Sequence, residues 1–174
     1  MFLDEFGANT KMQRTHGRAA PGERVVAGVP HAHYKTLSTI AALSAAKGIV
    51  AAASYDGGTT AARFVDFVRD ELVPVLRKGR VVVMDNLAAH NDRRVDALIE
   101  SAGCEVMRLP PYSPDYNPIE NAISKVKSIM RKLAERTVPA LYDGIAAALA
   151  SVTPSDAKGY IAHCGYATIR RKPL

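Results

Sequence analysis

The sequence predicts a mixed α/β sheet with an early antiparallel hairpin, flanked by helices. Two strand-like stretches, residues 34–43 and 49–55, are separated by a short turn, which indicates a hairpin. Residues 80–86, RVVVMDN, are an apolar run of the kind that fills a buried strand. Other segments repeat apolar residues at helical spacing. Strands and helices are thus mixed along a chain whose 174 residues fit a single domain.

The first third of the chain predicts three strands and one long loop. Residues 1–6, MFLDEF, are a short apolar run that ends in acids and predicts a strand. Residues 9–24, NTKMQRTHGRAAPGER, are polar, basic and rich in turn formers, which favours a loop or a mobile hairpin. The hairpin strands follow, with residues 45–48 as their turn, although the many alanines leave a helix open there.

The middle of the chain predicts helix, strand, helix and strand in turn. Thr59 or Thr60 can cap a helix whose apolar residues fall at spacings of three and four. The buried strand follows, and Asp92 can cap the next helix, which Gly103 ends. Residues 104–109, CEVMRL, predict another short strand.

The last third predicts a rigid loop, two helices and a tail. Residues 110–118, PPYSPDYNP, contain four prolines in nine residues, which favours a fixed loop over regular structure. A helix is expected from near Pro118, a favoured first-turn residue, to about Glu135. A last helix spans residues 139–152, and a basic tail, expected to be loose, begins at about residue 168.

The composition favours a basic protein of the cytoplasm. The formal net charge of +6 favours polyanions, nucleic acid first, although many soluble proteins are mildly basic. Cys104 and Cys164 match no zinc spacing and predict reduced thiols. No apolar run approaches the roughly 18–20 residues of a membrane span. The N-terminus does not resemble a signal peptide. We therefore expect a cytoplasmic, nucleoid-associated protein with no membrane partner.

Three acids stand at the ends of predicted elements. Asp4 ends the first strand, Asp85 ends the buried strand, and Glu120 lies in the first turn of the helix after the proline-rich loop. Because an unpaired charge is costly to bury, an acid at the end of an apolar strand has little reason to be there for stability. Local alternatives stay open: Asp85 can be a cap or turn residue, and Glu120 a favourable charge near a helix N-terminus.

Together the three acids favour a metal site for phosphodiester chemistry. Hard cations bind carboxylate oxygens from several parts of a chain, and two cations about 3.5–4 Å apart stabilise both the attacking and the leaving oxygen. Asp92 and Asp115 are competing acids, as is Glu5. Glu5 should point to the opposite sheet face from Asp4, so at most one of that pair lies in the site.

Three motifs resemble the catalytic domain of DDE transposases of the mariner-like superfamily, in particular its bacterial insertion-sequence branch. They are FLDEFG around Asp4, VVVMDNLAAH around Asp85 and LPPYSPDYNPIENAISKVK around Glu120. The 34 residues at positions 86–119 match the spacing typical of that branch. The resemblance covers nearly the whole chain. One departure is Ile123, where the family often has tryptophan, and it concerns packing rather than chemistry.

The resemblance implies an RNase H-like fold and a metal-dependent DNA transposase. Asp4, Asp85 and Glu120 would bind two Mg²⁺ or Mn²⁺ ions. The enzyme would cleave DNA at transposon ends, and the freed 3′-hydroxyl would attack target DNA, usually at TA. The active complex is expected to be a homodimer.

Superfamily members normally carry helix-turn-helix modules before the catalytic domain. Because Asp4 lies so close to Met1, we expect this module to be absent, which makes an upstream-frame DNA-binding protein a candidate partner. A split gene, a decayed remnant and a truncated chain all stay open.

Several residues are candidates to support the three acids. Cations of the early loop can contact DNA or simply be exposed, namely Lys11, Arg14, Arg18 and Arg24. A set on the helix after Glu120 can lie under a DNA strand or form a solvated basic face, namely Ser124, Lys127 and Arg131. The apolar face of that helix is expected to comprise Ile119, Ile123, Val126, Met130 and Leu133.

Three polar residues near the acids are candidates to support the metal ligands. Asn86 and Asn117 can orient carboxylates or serve turns. His90 can touch a phosphate or a catalytic water, or make a structural hydrogen bond near a helix start.

Two other functions stay open at this stage. One is an RNase H-like nuclease of other specificity, for example one that acts on RNA–DNA hybrids, and the third motif counts against it. The other is an inactive DNA-binding remnant of a split transposase, and the retained acids count against it.

Overall fold

Five strands form one mixed sheet in the order β3-β2-β1-β4-β5. They are β1 (Phe2–Asn9), β2 (Thr36–Ser44), β3 (Gly48–Asp56), β4 (Val81–Met84) and β5 (Glu105–Arg108). The pairs β1–β2 and β2–β3 are antiparallel, whereas β4 is parallel to both β1 and β5. The computed structural model describes residues 1–28, 30–31, 34–87, 90–111 and 113–166, and the expected basic tail from about residue 168 lies outside them.

The predicted early hairpin is confirmed by β2 and β3. The turn between them ends at Gly48, whose φ of 79° lies in the left-handed region that glycine adopts without a steric penalty. A Cβ atom at Gly48 would overlap the carbonyl oxygen of Val152, in the link that follows the fourth helix. Glycine at this position therefore serves both the turn and the contact of the hairpin with the helical layer.

The helices in the described part of the chain are α1 (Ala61–Phe67), α2 (Arg93–Ser101), α3 (Pro118–Leu133), α4 (Val138–Ala150) and α5 (Pro154–His163). As predicted, the side chains of Thr60 and Asp92 accept hydrogen bonds from first-turn amides of α1 and α2. A π-helical turn, Val68–Leu72, continues α1. Within the described ranges, no helix combines the length and apolar character that crossing a membrane requires.

Apolar side chains pack on both faces of the sheet. On one face, Phe2 and Phe6 of β1 join a buried cluster with α3, α4 and α5. On the other face, Leu3 joins a cluster with Phe64 of α1 and with α2. Because successive strand residues point to opposite faces, Asp4 lies on the α3 side of the sheet and Glu5 on the α1 side.

The long loop between β1 and β2 is also confirmed. The described residues from 10 to 35 form neither helix nor strand. Its first residues are held by Arg136, whose Nη1 donates to the carbonyl oxygens of Thr10 at 3.0 Å and Met12 at 2.8 Å. The start of this basic loop is thus fixed next to the end of α3.

The structure differs from the predicted elements in four places. Asp4 does not end the first strand, because the pairing of β1 with β2 continues to Asn9 and leaves Asp4 inside the strand. The sequence prediction lacks α5, although the capping box of Thr153 and Asp156 at its start was a readable signal. Leu133 is exposed rather than part of the apolar face of α3, because the helix ends there and Ala134 turns into the left-handed conformation. The proline-rich loop contains a short 3-10 helix, Pro114–Tyr116, so it is not irregular throughout.

Candidate active site

The sheet register brings two of the three acids side by side. In the parallel β1–β4 pair, Phe2 lies opposite Val83. Two residues after this pair come Asp4, inside β1, and Asp85, just after the end of β4. Glu120 lies in the first turn of α3, which packs against β1. All three acids line one pocket of about 500 Å³.

The wall of this pocket opposite the sheet is formed by the proline-rich loop. Leu109, Pro110, Pro111 and Pro114 line it, together with Ser113. Prolines have a fixed φ, so this wall follows one path without needing regular structure.

Asn86, which follows β4, hydrogen bonds to the start of the proline-rich loop. Its Nδ2 donates to the carbonyl oxygen of Leu109 at 2.5 Å, and its own carbonyl accepts from Asn91 at 3.0 Å. Asn86 therefore lines the pocket but holds backbone rather than a carboxylate, which matches the turn role considered for it.

Asp4 is a buried carboxylate with two hydrogen bonds. Its Oδ1 accepts from the backbone amide of Glu5 at 2.7 Å, and its Oδ2 accepts from Nδ2 of Asn117, also at 2.7 Å. Burial, followed by repulsion from Glu120, raises the pKa of Asp4 to about 7, and Asp85 adds to the rise. The mutual repulsion follows from three acidic side chains that share one pocket.

Asp85 is half-exposed and is held through one oxygen. Its Oδ1 accepts from the amide of Leu87 at 3.0 Å and from Nδ1 of His90 at 2.5 Å. Partial burial acts to raise the pKa of Asp85, but these hydrogen bonds outweigh it and the pKa is lowered. Asp85 is therefore a carboxylate at neutral pH.

His90 is fully buried and bridges two acids. Besides Asp85, it contacts Glu5, with 2.6 Å between its Nε2 and Oε2 of the glutamate. Its ring packs on Phe64, with 4.2 Å between centroids. Burial acts to lower the pKa of His90, but the hydrogen bonds to Asp85 and Glu5 raise it to about 9. Such burial leaves no room for a phosphate or water against the ring, so of the two roles considered the hydrogen-bonding one fits.

Sequence reasoning placed Glu5 on the correct face but missed its contact. Alternation along β1 turns Glu5 away from Asp4, as expected. It then meets His90, which approaches from the segment after β4. The contact joins residues 85 positions apart, and no local pattern in the sequence signals it.

The donor set suits a hard divalent cation, although the carboxylates do not meet as a closed metal cluster. Across the residues that the structure describes, no three His, Cys, Asp or Glu side chains stand close enough together to hold a metal ion. The oxygens that line the pocket are nevertheless of the type that Mg²⁺ prefers. Asn117 is also buried, and its Oδ1 accepts no hydrogen bond from the described residues. A cation would offset both this unpaired oxygen and the repulsion at Asp4.

Two of the predicted DNA-contact residues meet in a basic groove. Arg14 of the long loop and Arg131 of α3 line it together with His16 and Lys132. On the same side of α3, Ser124 and Lys127 recur at helical spacing between Glu120 and Arg131; Ser124 is exposed and Lys127 half-buried. The remaining three predicted cations are exposed on the loop without lining this groove, namely Lys11, Arg18 and Arg24.

A family comparison identifies the domain. A model described as the DDE superfamily endonuclease matches residues 1–141, which include the three acids. The chain belongs to the DDE superfamily endonuclease family. No protein of curated function matches it.

Solved structures show the same fold. The chain is similar to Mos1 transposase in a paired-end complex with the left transposon end, with a TM-score of 0.76 and 17% identity over 94% of this chain and 51% of that one. The Mos1 strand transfer complex gives a TM-score of 0.73 and 17% identity over 94% and 50% of the two chains. The catalytic domain of Mos1 mariner transposase gives 0.63 and 16% over 94% and 75%.

These similarities establish an RNase H-like fold for this DDE domain. The chain spans about half the length of the Mos1 transposases in the complexes. Related Mos1 paired-end complexes were solved with Mn and with Mg.

Proposed function

We propose that this DDE domain is the catalytic part of a DNA transposase. It would cleave phosphodiester bonds at the ends of a mobile element and join the freed 3′-hydroxyl to target DNA. The observation that carries the proposal is the convergence of Asp4, Asp85 and Glu120 on one pocket, from inside β1, from just after β4 and from the start of α3. Membership of the DDE family and the fold shared with Mos1 transposase support it.

Each acid would contribute carboxylate oxygens to two Mg²⁺ or Mn²⁺ ions. When bound, such ions supply charge stabilisation for the attacking and leaving oxygens and activate the nucleophile. Asn117 holds Asp4 through Oδ2, and His90 holds Asp85 through Oδ1, so each strand acid has a neighbour that fixes its orientation. Glu120 is exposed, which leaves its side chain free to adjust as the substrate enters.

The basic groove gives the DNA a path away from the acids. Arg131 lies 11 residues beyond Glu120 along α3, which corresponds to roughly 16 Å along the helix axis. Phosphates on one strand are spaced about 3.4 Å apart along the duplex axis, so this stretch would span about five of them. Arg14, which lines the groove from the long loop, would contact the backbone from its other side.

The finer features of the proposal rest on the resemblance of the motifs. They are membership of the mariner-like superfamily and its bacterial insertion-sequence branch, insertion at TA, and a homodimer in the active complex. We propose that a DNA-reading module, for example an upstream-frame protein, supplies recognition of the element ends. We also propose that the protein, since it would act on DNA, lies with the nucleoid in the cytoplasm.

The test is cleavage of DNA that bears the element ends. The chain is assayed alone and fused to the upstream module, with Mn²⁺ and with Asp85→Ala beside the wild type. We expect the fusion to nick the ends and the variant to lose at least about 100-fold in rate, because an essential carboxylate is removed. Asp92→Asn is the matched control, since this acid caps α2 outside the pocket and asparagine also caps helices well.

Two results would overturn the proposal. One is a fusion that leaves the element ends intact. The other is an Asp85→Ala variant as active as Asp92→Asn. A parallel reaction with an RNA–DNA hybrid identifies a nuclease of other specificity, which would cut the hybrid and spare the ends.

A further inference from the structure

The residues around His90 form a bridge between two acids of different strands. Both ring nitrogens face carboxylate oxygens, at 2.6 Å from Oε2 of Glu5 and 2.5 Å from Oδ1 of Asp85. A carboxylate accepts hydrogen bonds and cannot donate them, so each ring nitrogen must donate. We call these three side chains the His90 bridge.

The bridge fixes one oxygen of Asp85. Oδ1 receives hydrogen bonds from His90 and from the amide of Leu87, while Oδ2 takes no part in the bridge. The side chain of Asp85 is 34% exposed and lies just beyond the end of β4. Without the bridge, the amide of Leu87 would be the one hydrogen-bond donor left to Oδ1 among the described residues. With it, Oδ2 is held in a fixed direction relative to the pocket that Asp85 lines.

Glu5 gives the bridge its second anchor. It belongs to β1, one residue after Asp4. Asp4 reaches the pocket directly from the α3 side, whereas Glu5 reaches Asp85 through His90 on the α1 side. A single strand thereby sets the positions of both strand acids of the pocket. Two further contacts hold His90 in place. Phe64 packs on its imidazole ring, and Arg108 donates a hydrogen bond to its backbone carbonyl oxygen at 2.7 Å.

Stability alone is a poor reason for this arrangement. Removing charged groups from water is costly, and well-packed apolar residues of similar volume often stabilise a protein as much or more. Here an imidazole and two carboxylates occupy a place beside the apolar cluster that contains Leu3 and Phe64. Groups of this kind recur where a metal ligand must be oriented, since a partner behind the ligand sets its direction.

We propose that Glu5 is a positioning residue for the carboxylate of Asp85 and acts on it through His90. The inference rests on the proposed function, because it gives Asp85 the role of a metal ligand. It assigns Glu5 no contact with the metal or the DNA. Its effect would be a pre-set direction for one ligand oxygen.

The test compares two substitutions of similar size, Glu5→Gln and Glu5→Leu. Glutamine can donate to Nε2 of a neutral His90 whose Nδ1 still donates to Asp85, so the bridge persists. Leucine cannot hydrogen bond, so it breaks the bridge while filling the space. Mn²⁺ affinity is measured by calorimetry on the folded chain, together with the melting temperature and with kcat and KM for cleavage by the fusion.

We expect Glu5→Leu to weaken Mn²⁺ binding by about 10–100-fold, the usual effect of losing a partner behind a metal ligand. Its kcat should fall with little change in KM for DNA, and Glu5→Gln should stay close to the wild type. Glu71→Leu, the same change at an exposed acid outside the bridge, should alter neither quantity. His90→Leu breaks the bridge independently, because leucine cannot hydrogen bond, and should reproduce the loss if Glu5→Leu does not fold.

Normal Mn²⁺ affinity in a folded Glu5→Leu or His90→Leu variant would overturn the inference, even if its melting temperature is lower. Equal losses in Glu5→Gln and Glu5→Leu would also overturn it, because charge rather than the bridge would then matter. A wild-type chain that binds no Mn²⁺ and cuts no DNA is a different result. It contradicts the proposed function itself, and the inference falls with it.

Discussion

At the scale of single residues, the pocket gives Asp4 a different protonation state from that of Asp85. Asp4 is buried and faces Glu120, so negative charge there is disfavoured. Asp85, by contrast, keeps its charge through hydrogen bonds from His90 and Leu87. Asp4 and Asp85 thus differ in protonation near neutral pH although they line the same pocket. A divalent cation would have to displace a proton from Asp4 and would find Asp85 already ionised.

This difference predicts how metal binding and stability depend on pH. With a pKa of about 7 in the folded chain against 3.8 as the ordinary value, Asp4 binds its proton more tightly when folded. Its contribution to stability therefore falls as the pH rises from about 4 to about 7 in metal-free solution. Mn²⁺ affinity should rise over the upper part of the same interval and level off above it, because the proton competes with the cation.

The substitution Glu120→Gln tests the cause of that pKa. It removes the repulsion from Glu120 and should lower the pKa of Asp4, as followed by the NMR signal of its carboxyl carbon during titration. Glu105→Gln, at an exposed position in β5, is the control and should leave the signal unchanged. A pKa of Asp4 that stays near 7 in Glu120→Gln would show that Glu120 does not contribute to the shift.

At the same scale, the acids could be predicted from the sequence, but the residues that hydrogen bond to them could not. Asp85 and Glu120 lie in specific sequence motifs. Their positions follow from the end of a predicted strand and the start of a predicted helix. The hydrogen bonds that Asn117 donates to Asp4 and that His90 donates to Glu5 span 113 and 85 positions. Such contacts depend on how the elements pack, which neither composition nor local periodicity contains.

At the scale of elements, the hairpin and the helical layer meet at a point where only glycine fits. Gly48 combines a φ of 79° with close approach to the Val152 carbonyl between α4 and α5. The prediction of the hairpin turn needed only the local Ala-Ala-Lys-Gly pattern. The second constraint comes from α5, an element whose start carries a readable cap but which lies beyond the matched motifs.

Substitution of Gly48 by alanine should destabilise the fold more than the same change at Gly79. Both glycines have nearly the same φ, 79° and 80°, but a Cβ atom at Gly79 would meet nothing within 4 Å. Alanine at Gly79 should cost about 1–2 kcal/mol for the left-handed backbone alone. Gly48→Ala adds the overlap with Val152, roughly another 1–3 kcal/mol.

Thermal unfolding of the two variants measures the difference. The extra cost at Gly48 corresponds to an additional loss of about 2–12 °C in melting temperature for a chain of this size. Equal losses of melting temperature in Gly48→Ala and Gly79→Ala would mean that the hairpin does not contact the α4–α5 link as closely as the structure shows.

At the scale of the whole molecule, positive charge and the acids occupy neighbouring parts of the helical face. The net charge of +6 suggested a polyanion from composition alone, but not where it would bind. The structure gathers Arg14 and Arg131 in one groove and leaves Arg18 and Arg24 exposed elsewhere on the loop. The fold class, by comparison, was predictable, because strand and helix patterns are local and the order of elements restricts the sheet.

The basic groove predicts a salt-dependent affinity for DNA. Arg131→Gln should weaken binding to any duplex and reduce the slope of log affinity against log salt by about 1, since one phosphate contact is lost. Arg69→Gln is the control, because Arg69 is already paired with Asp66 and Asp70. Titrations at several salt concentrations give both slopes, and identical slopes for the two variants would place the DNA elsewhere on the surface.

The central claim, that Asp4, Asp85 and Glu120 form a divalent-metal site, is tested most directly by locating Mn²⁺ in crystals of the protein. Anomalous scattering identifies the ion without reference to activity. We expect a peak within roughly 2–2.5 Å of oxygens of both Asp4 and Asp85, a usual range for hard cations. Crystals saturated with Mn²⁺ that show no peak in this pocket, or peaks only at other sites, would contradict the account.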